Sequence, residues 1–346
     1  MRKKTILILF VFALVVTATL CVTQAQTNPA APAGAAPGGV AAGGRGGAAP
    51  GGGMQGARGG AIGGMQGGRG GMGGFGRGPS VPAGPPAPVP AAVAIPRPTT
   101  EEVEKINAEI KKFIDTNTSA NNDLLKKYAS LMTVQVPRDN ACIRPAPSAR
   151  GNRHEGFVET AKTADFDILF DGDSITDMWQ NVGAEVHKNY FGDVKVANFA
   201  VSGDTTQGVL WGLQNGEGQG HKPKAVMLMI GTNNTGGNTG PEIAEGVGAI
   251  VLQLRKDFPD AKIMLLAIFP RGANANDSNR IKNEEANKII AKLDDGKHIF
   301  FTNINDKFLN ADGSVIGFGG DNLHPNAEGY EIWAKAVAPT LKSWVK

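Results

Sequence analysis

From residue 165 onward the chain alternates short apolar runs with stretches of helical periodicity, and this alternation constrains the fold more than any other feature. The runs Asp167–Phe170, Val194–Ala200, Ala225–Ile230, Lys262–Phe269 and His298–Ile304 read as strands, since a short, nearly continuous apolar run suits a strand covered on both faces. Helical patterns lie near 205–215, 241–258, 279–295 and 327–345. Strands separated by crossover helices pair in parallel, so a doubly wound α/β sheet with helices on both faces is expected. Such a sheet takes its ligand beyond the carboxyl ends of the strands.

The residues just past those ends carry one chemistry. After the first strand comes Gly172-Asp173-Ser174, after the second Ser202-Gly203-Asp204, and after the third Gly231-Thr232-Asn233-Asn234. After the fifth, beyond a glycine-rich loop, comes Asp321-Asn322-Leu323-His324-Pro325. Taken singly, each is an ordinary turn, loop or helix cap. Together they bring a hydroxyl, a bare backbone, an amide and an Asp/His pair to one rim. A serine hydroxyl needs an imidazole to take its proton, the imidazole needs an acid to orient it, and the developing oxyanion needs fixed N–H donors. Ser174 is therefore the expected nucleophile, His324 the general base and Asp321 its orienting acid. The Ser174 and Gly203 N–H groups and the Asn233 amide are the expected oxyanion hole, glycine at 203 letting the backbone approach the substrate.

These blocks, with Asn198 through Gly203, resemble the first, second, third and fifth blocks of the SGNH (GDSL-type) hydrolases. The flanking text is similar to the branch of platelet-activating-factor acetylhydrolase catalytic subunits: Ser174-Ile-Thr-Asp177, Ser202 through Thr206, Val209-Leu-Trp211, Asn215-Gly-Glu217 and Pro325 through Trp333. The resemblance covers about 165–346. It implies a flavodoxin-like three-layer α/β/α sandwich with a five-stranded sheet, and a serine esterase with a shallow, lidless site that uses no metal and no cofactor. It also implies short-chain, acetyl substrates, O-acetyl groups on a carbohydrate being one expectation and a lipid or lysophospholipid acyl ester the alternative. One residue departs from the pattern: Asp171 stands where the family has an apolar residue, and it is expected to face solvent or cap the following turn.

Other chemistries fit less well. Ile168 through Ile175 approaches the apolar strand and Asp-x-Asp of haloacid-dehalogenase-like, Mg²⁺-dependent phosphatases, with Asp171 as nucleophile. Ile175 stands where that motif has Thr or Val, and the late loop offers one acid where a pair is needed. The Gly-x-Ser-x-Gly elbow of the α/β-hydrolases is absent. A non-catalytic surface module would have no use for the full set of motifs. His154, His187, His221 and His298 do not fall at metal-ligand spacing. Trp179 and Trp211 follow motif strands and suit either the site wall or the core, while Trp333 and Trp344 lie on the last helical pattern.

Ahead of this domain the composition changes. About half of the chain's 48 glycines lie in residues 28–98, which contain no acid and little that could form an apolar face. Residues 1–98 carry eight Lys/Arg, so the net +3 belongs to this tail and the remainder is acidic; net charge gives no support to a nucleic-acid partner. Arg2, Lys3 and Lys4, the apolar run Ile6–Val16 and the small residues up to Ala25 describe a secretory signal over 1–25, implying a secreted, periplasmic or cell-surface protein. Membrane attachment is expected only if that segment is retained. Cys142 would be the one cysteine left after cleavage, so no internal disulfide is expected. Residues 26–98 read as a Gly/Ala/Pro-rich linker and 99–135 as a helical lead-in packing on a hydrolase domain over 136–346. In the lead-in, Thr99 and Glu102 form a capping box for a helix over 100–115 bearing Val103, Ile106, Ile110 and Phe113. Asn121 to Asp123 would cap a second helix bearing Leu124, Leu125, Tyr128 and Leu131.

Overall fold

The computed structural model describes residues 83–136 and 139–346; the proposed signal and the linker up to residue 82 lie outside them. Strands β1 (Ile168–Gly172), β2 (Val196–Asn198), β3 (Ala225–Met229), β4 (Lys262–Leu266) and β5 (Ile299–Thr302) form one parallel sheet in the order β2-β1-β3-β4-β5. The central strands β1 and β3 are buried throughout, and the edge strands β2 and β5 are partly covered. Gly172 pairs with Met229, so β1 and β3 end at one level. β2 is shorter than its apolar run because Asn198 turns the chain: its Oδ1 accepts from Ala200 N at 3.0 Å and its Nδ2 donates to Thr176 O at 2.9 Å.

Residues 83–97 are part of this domain, where the composition predicts a spacer running to 98. Gly84 N donates to Pro145 O at 2.7 Å and Ala87 N to Ile143 O at 2.8 Å. Val93 is 3% exposed. Ile95 N and Arg97 both donate to the buried Glu245 carboxylate, which also accepts from Asn140 Nδ2 at 2.8 Å. Helix α1 (Thr100–Thr116) follows with the predicted capping box, while α2 (Asn122–Lys127) starts at Asn121 without a side-chain cap. Asn107 exchanges two 2.8 Å hydrogen bonds with the Val134 backbone and closes this lead-in on itself. Val103 and Ile114 are buried, but Ile106, Phe113, Leu124, Tyr128 and Leu131, expected to pack on the main domain, are exposed.

Alternate residues of the strands feed two cores. On one face α3 (His154–Thr163), α6 (Thr206–Gly212), α7 (Gly240–Asp257) and α8 (Ser278–Ile290) cover Leu169, Val226, Leu228 and Leu265. On the other, α4 (Ser174–Asp177), α5 (Ala184–Phe191) and α9 (Ala327–Val345), with Trp179 just past α4, cover Ile168, Phe170, Met227 and Met264. α3, α4 and α5 are helices that the apolar periodicity did not announce. The segment 83–97 joins the first core: Gly248 leaves room on α7 for Val93 and Pro90, which would stand 2.6 and 2.9 Å from any Cβ there.

Candidate active site

The sheet order places the motifs. β2 and β3 flank β1, so Ser174 leaves the middle strand while Gly203 follows the strand on one side and Asn233 the strand on the other. This is the point where the connections diverge to opposite sides of the sheet. Asp173 caps α4 by accepting from Ile175 N at 3.1 Å and presents Ser174 as the first helical residue.

β5 lies at the far edge, so the Asp/His pair must be carried back across the sheet. The returning loop is tied by Gly319 N to His324 O at 2.8 Å, Gly272 N to Asn322 O at 2.8 Å and Asn326 N to Gly317 O at 2.9 Å. Tyr330, fully buried at the start of α9, donates to Ile175 O at 2.7 Å and locks that helix to the serine turn. His324 Nε2 then stands 2.8 Å from Ser174 Oγ, and His324 Nδ1 stands 2.6 Å from Asp321 Oδ2. Burial pushes the Asp321 carboxyl up, but hydrogen bonds from the His324 ring and from the His324 and Leu323 N–H groups outweigh it and hold it at about 2. With Asp321 anionic, the hydrogen bond favours the tautomer that leaves Nε2 free to accept a proton.

Ser174 is buried, whereas Gly203 is exposed. Gly203 has φ +82, and no atom lies within 4 Å of the place a Cβ would occupy. Glycine is thus required there by the left-handed backbone rather than by crowding from the protein. Asn233 Nδ2 donates to Asp204 O at 2.7 Å, which joins the loops after β2 and β3. Asp177 Oδ2 accepts from Ser202 N at 3.2 Å and Ser202 Oγ at 2.7 Å, joining the loop after β2 to the helix that begins with Ser174. Arg153 braces the same Asp177 carboxylate at 2.7 Å and Ala200 O at 3.1 Å.

Asp171 neither faces solvent nor opens onto the site. Its carboxylate is fully buried, 2.6 Å from Arg150 Nη2, and accepts from Gly172 N at 2.8 Å. A phosphoryl group has no path to it, so the Asp171-nucleophile alternative fails on access. Burial, and then the charge of Asp204, push the Asp173 carboxyl up to about 7.

Among the described residues no group of three His, Cys, Asp or Glu side chains could hold a metal ion. His154 binds Glu217, His221 meets the Phe166 carbonyl, and His187 sits among Phe170, Trp179 and Phe191. Trp179 and Trp333 are core residues, Trp211 lies against the His154 ring, and Trp344 lies against Phe300. Tyr330, Arg153 and Arg150 escaped the sequence reading. For Arg150 the one prior signal was Asp171, a carboxylate in an apolar strand that demands a partner.

The model of the GDSL-like lipase/acylhydrolase family matches residues 170–332. The chain is 36% identical over 165 residues to platelet-activating factor acetylhydrolase IB subunit alpha2 of Gallus gallus, covering 47% of this chain and 70% of the relative. It is 32% identical over 190 residues to subunit alpha1 of Homo sapiens, covering 54% and 80%. Among solved structures, a carbohydrate acetylesterase from Sinorhizobium meliloti superposes with a TM-score of 0.42 at 19% identity, covering 52% of this chain and 99% of that one.

Proposed function

We propose, from the premise that this chain belongs to the GDSL-like lipase/acylhydrolase family and is a carboxylic ester hydrolase, that it is an exported serine esterase for short-chain esters. The observation that carries the reading is the unbroken chain Ser174 Oγ to His324 Nε2 to Asp321 Oδ2, at 2.8 and 2.6 Å. Ser174 attacks the ester carbonyl as His324 takes its proton. The oxyanion is met by the Ser174 and Gly203 N–H groups and the Asn233 amide, and collapse expels the alcohol, which His324 protonates. Water then repeats the sequence on the acyl-enzyme.

Preference for acetyl over longer acyl groups is supported by the name of the relatives, platelet-activating factor acetylhydrolases. Export rests on the basic and apolar N-terminus and makes O-acetyl groups of an extracellular carbohydrate the favoured substrate. A second reading, an esterase of lipid acyl groups, is favoured by the other half of that name, platelet-activating factor. Wild-type and Ser174→Ala proteins assayed on 4-nitrophenyl acetate, 4-nitrophenyl octanoate and acetylated xylan separate these. Acetate and xylan turnover lost in the variant supports the proposal. Octanoate preferred over acetate favours the lipid reading, and activity retained by the variant overturns the serine mechanism.

A further inference from the structure

Beneath the rim lies a charged cluster that the triad chemistry does not use. Arg150, on a tight turn over Ser148–Asn152, is wholly buried. Each nitrogen of its fork takes a different carboxylate: Nη2 meets Asp171 Oδ1 at 2.6 Å, Nε meets Asp204 Oδ2 at 2.9 Å, and Nη1 meets Glu217 Oε2 at 2.5 Å. All four side chains have zero exposure. Helix α6 is shaped around them. A Cβ at Gly208 would stand 1.8 Å from Asp204 Oδ1, and one at Gly212 would stand 2.6 Å from Arg150 Cδ, so two glycines one turn apart form the notch that houses the cluster.

The partners bracket the reaction centre. Asp171 lies three residues before Ser174 on β1, and Asp204 follows Gly203 directly. Asp204 also accepts from Thr205 N at 2.9 Å through its carboxylate and from Asn233 Nδ2 at 2.7 Å through its backbone oxygen. Movement of Asp204 would therefore displace the Gly203 N–H and the Asn233 amide together. A buried ion pair adds little net stability over apolar packing, but leaving one partner alone is costly. The placement of Asp171 on β1 and Asp204 on the loop after β2, two segments that must be held together, is what gives the cluster a use.

We propose that Arg150 is a positioning residue for ester hydrolysis: by clamping Asp204 to Asp171 it holds the loop bearing Gly203, and through it Asn233, against the strand that presents Ser174. This rests on the serine-esterase reading above. One guanidinium faces three acids, and they are not all comfortable as anions. Burial outweighs Arg150 in pushing Asp171 and Glu217 up and Asp204 up to about 6, with Asp171 raising the other two further. The remaining neighbours are His154 on Glu217, the Phe157 ring 5.7 Å from the guanidinium, Asp173 toward Asp204, and Arg271 toward Asp173. Without Arg150, rising pH ionises acids that nothing opposes, and the loop is pushed off β1.

The test measures kcat and KM for 4-nitrophenyl acetate from pH 5 to 9 in wild type, Arg150→Met, Arg150→Lys, Asp204→Asn and Ser174→Ala, with thermal melts alongside. Arg150→Met is expected to lose about 10- to 100-fold in kcat with KM within about 3-fold, as for impaired oxyanion donors. It should also gain a fall in kcat toward alkaline pH that wild type lacks, beginning above the pH at which wild-type Asp204 ionises, because the missing guanidinium is one of the groups that lower that carboxyl. Arg150→Lys should recover part of both effects. Asp204→Asn, which leaves Arg150 two acids, should fold and lose about 10-fold in kcat. A folded Arg150→Met with wild-type kcat and pH profile overturns the proposal, whatever its melting point. If Arg150→Met is insoluble, Asp204→Asn decides alone, and an unchanged kcat there overturns the proposal. Loss of activity in Ser174→Ala with an unchanged Asp204→Asn sinks only this inference. An active Ser174→Ala sinks the esterase mechanism beneath it.

Discussion

Two ion-paired groups converge on Ser174, and they are built in opposite ways. At the rim, His324 and Asp321 meet with side-chain exposures of 27% and 52%, and Asp321 is held at about 2. Below it, Arg150 and its three carboxylates are sealed from solvent, and Asp204 is held at about 6. In the proposed mechanism the rim pair passes a proton to and from substrate, and its openness suits that task. The buried cluster is closed because a clamp gains from a low dielectric, where each charge–charge contact is stronger and motion costs more. The difference teaches that proximity to a nucleophile does not make a carboxylate a proton-transfer group: Asp171, three residues from Ser174, is the less accessible acid, and Asp321, distant in sequence, is the one beside the imidazole.

Variants of the rim should act on rate and not on folding. His324→Ala is expected to lower kcat/KM on an aryl acetate by about 10³-fold or more while the melting temperature stays within a degree or two. Asp321→Asn should cost up to about 10⁴-fold, since the ring keeps its place but no longer favours the tautomer that leaves Nε2 free to accept a proton. A large drop in melting temperature for either would show that the rim pair also holds the fold, and the contrast would fail.

A variant of the ion pair far from the site, Arg97–Glu245, should instead act on folding alone. Arg97→Ala removes a half-exposed partner from the wholly buried Glu245, leaving Asn140 and the Ile95 N–H to satisfy it. Discounted for the solvent around Arg97, the expected loss is about 1–2 kcal/mol in urea unfolding, with kcat unchanged. Removing residues up to 82 should leave unfolding as it was, while removal through 98 should cost at least as much as Arg97→Ala. Equal stabilities for the two truncations would return 83–97 to the status of a spacer.

The smallest predicted effect separates the two groups by sign. Asp173 and Asp204 have folded values raised to about 7 and about 6, so the stability they contribute is present below the ordinary aspartate value and is lost as pH rises through 6 to 7. Asp321 is depressed to about 2, so its contribution is present above the ordinary value and is lost as pH falls toward 2. Wild type should therefore melt several degrees lower at pH 8 than at pH 5, and Asp173→Asn should flatten that slope. An identical slope in the variant would mean that Asp173 is ionised at no cost.

The strand-end motifs were legible because each is contiguous: three or four residues carry both a turn and a reactive group, and a strand before them fixes their level. The order of the strands came from resemblance alone, and it is this order that sets Gly203 and Asn233 on either side of Ser174. The clamp was not legible. Arg150, Asp171, Asp204 and Glu217 lie on four separate segments, and no local pattern joins them; the one hint was a carboxylate inside β1. Composition also misled over 83–98, because proline content describes how a segment behaves on average and says nothing of one valine seated against Gly248 on α7. In the lead-in, helical periodicity located α1 but not its cover, and Phe113 at 52% exposure shows that an apolar stripe need not be buried by its own domain.

The account rests on Ser174 being the group that bonds to the acyl carbon. Incubation with a fluorophosphonate, followed by peptide mass spectrometry, reads this directly. The prediction is one phosphonyl group per chain, located on Ser174, forming far more slowly in His324→Ala and unaffected in rate by Arg97→Ala. Labelling at another residue, or active enzyme that stays unlabelled, would contradict it.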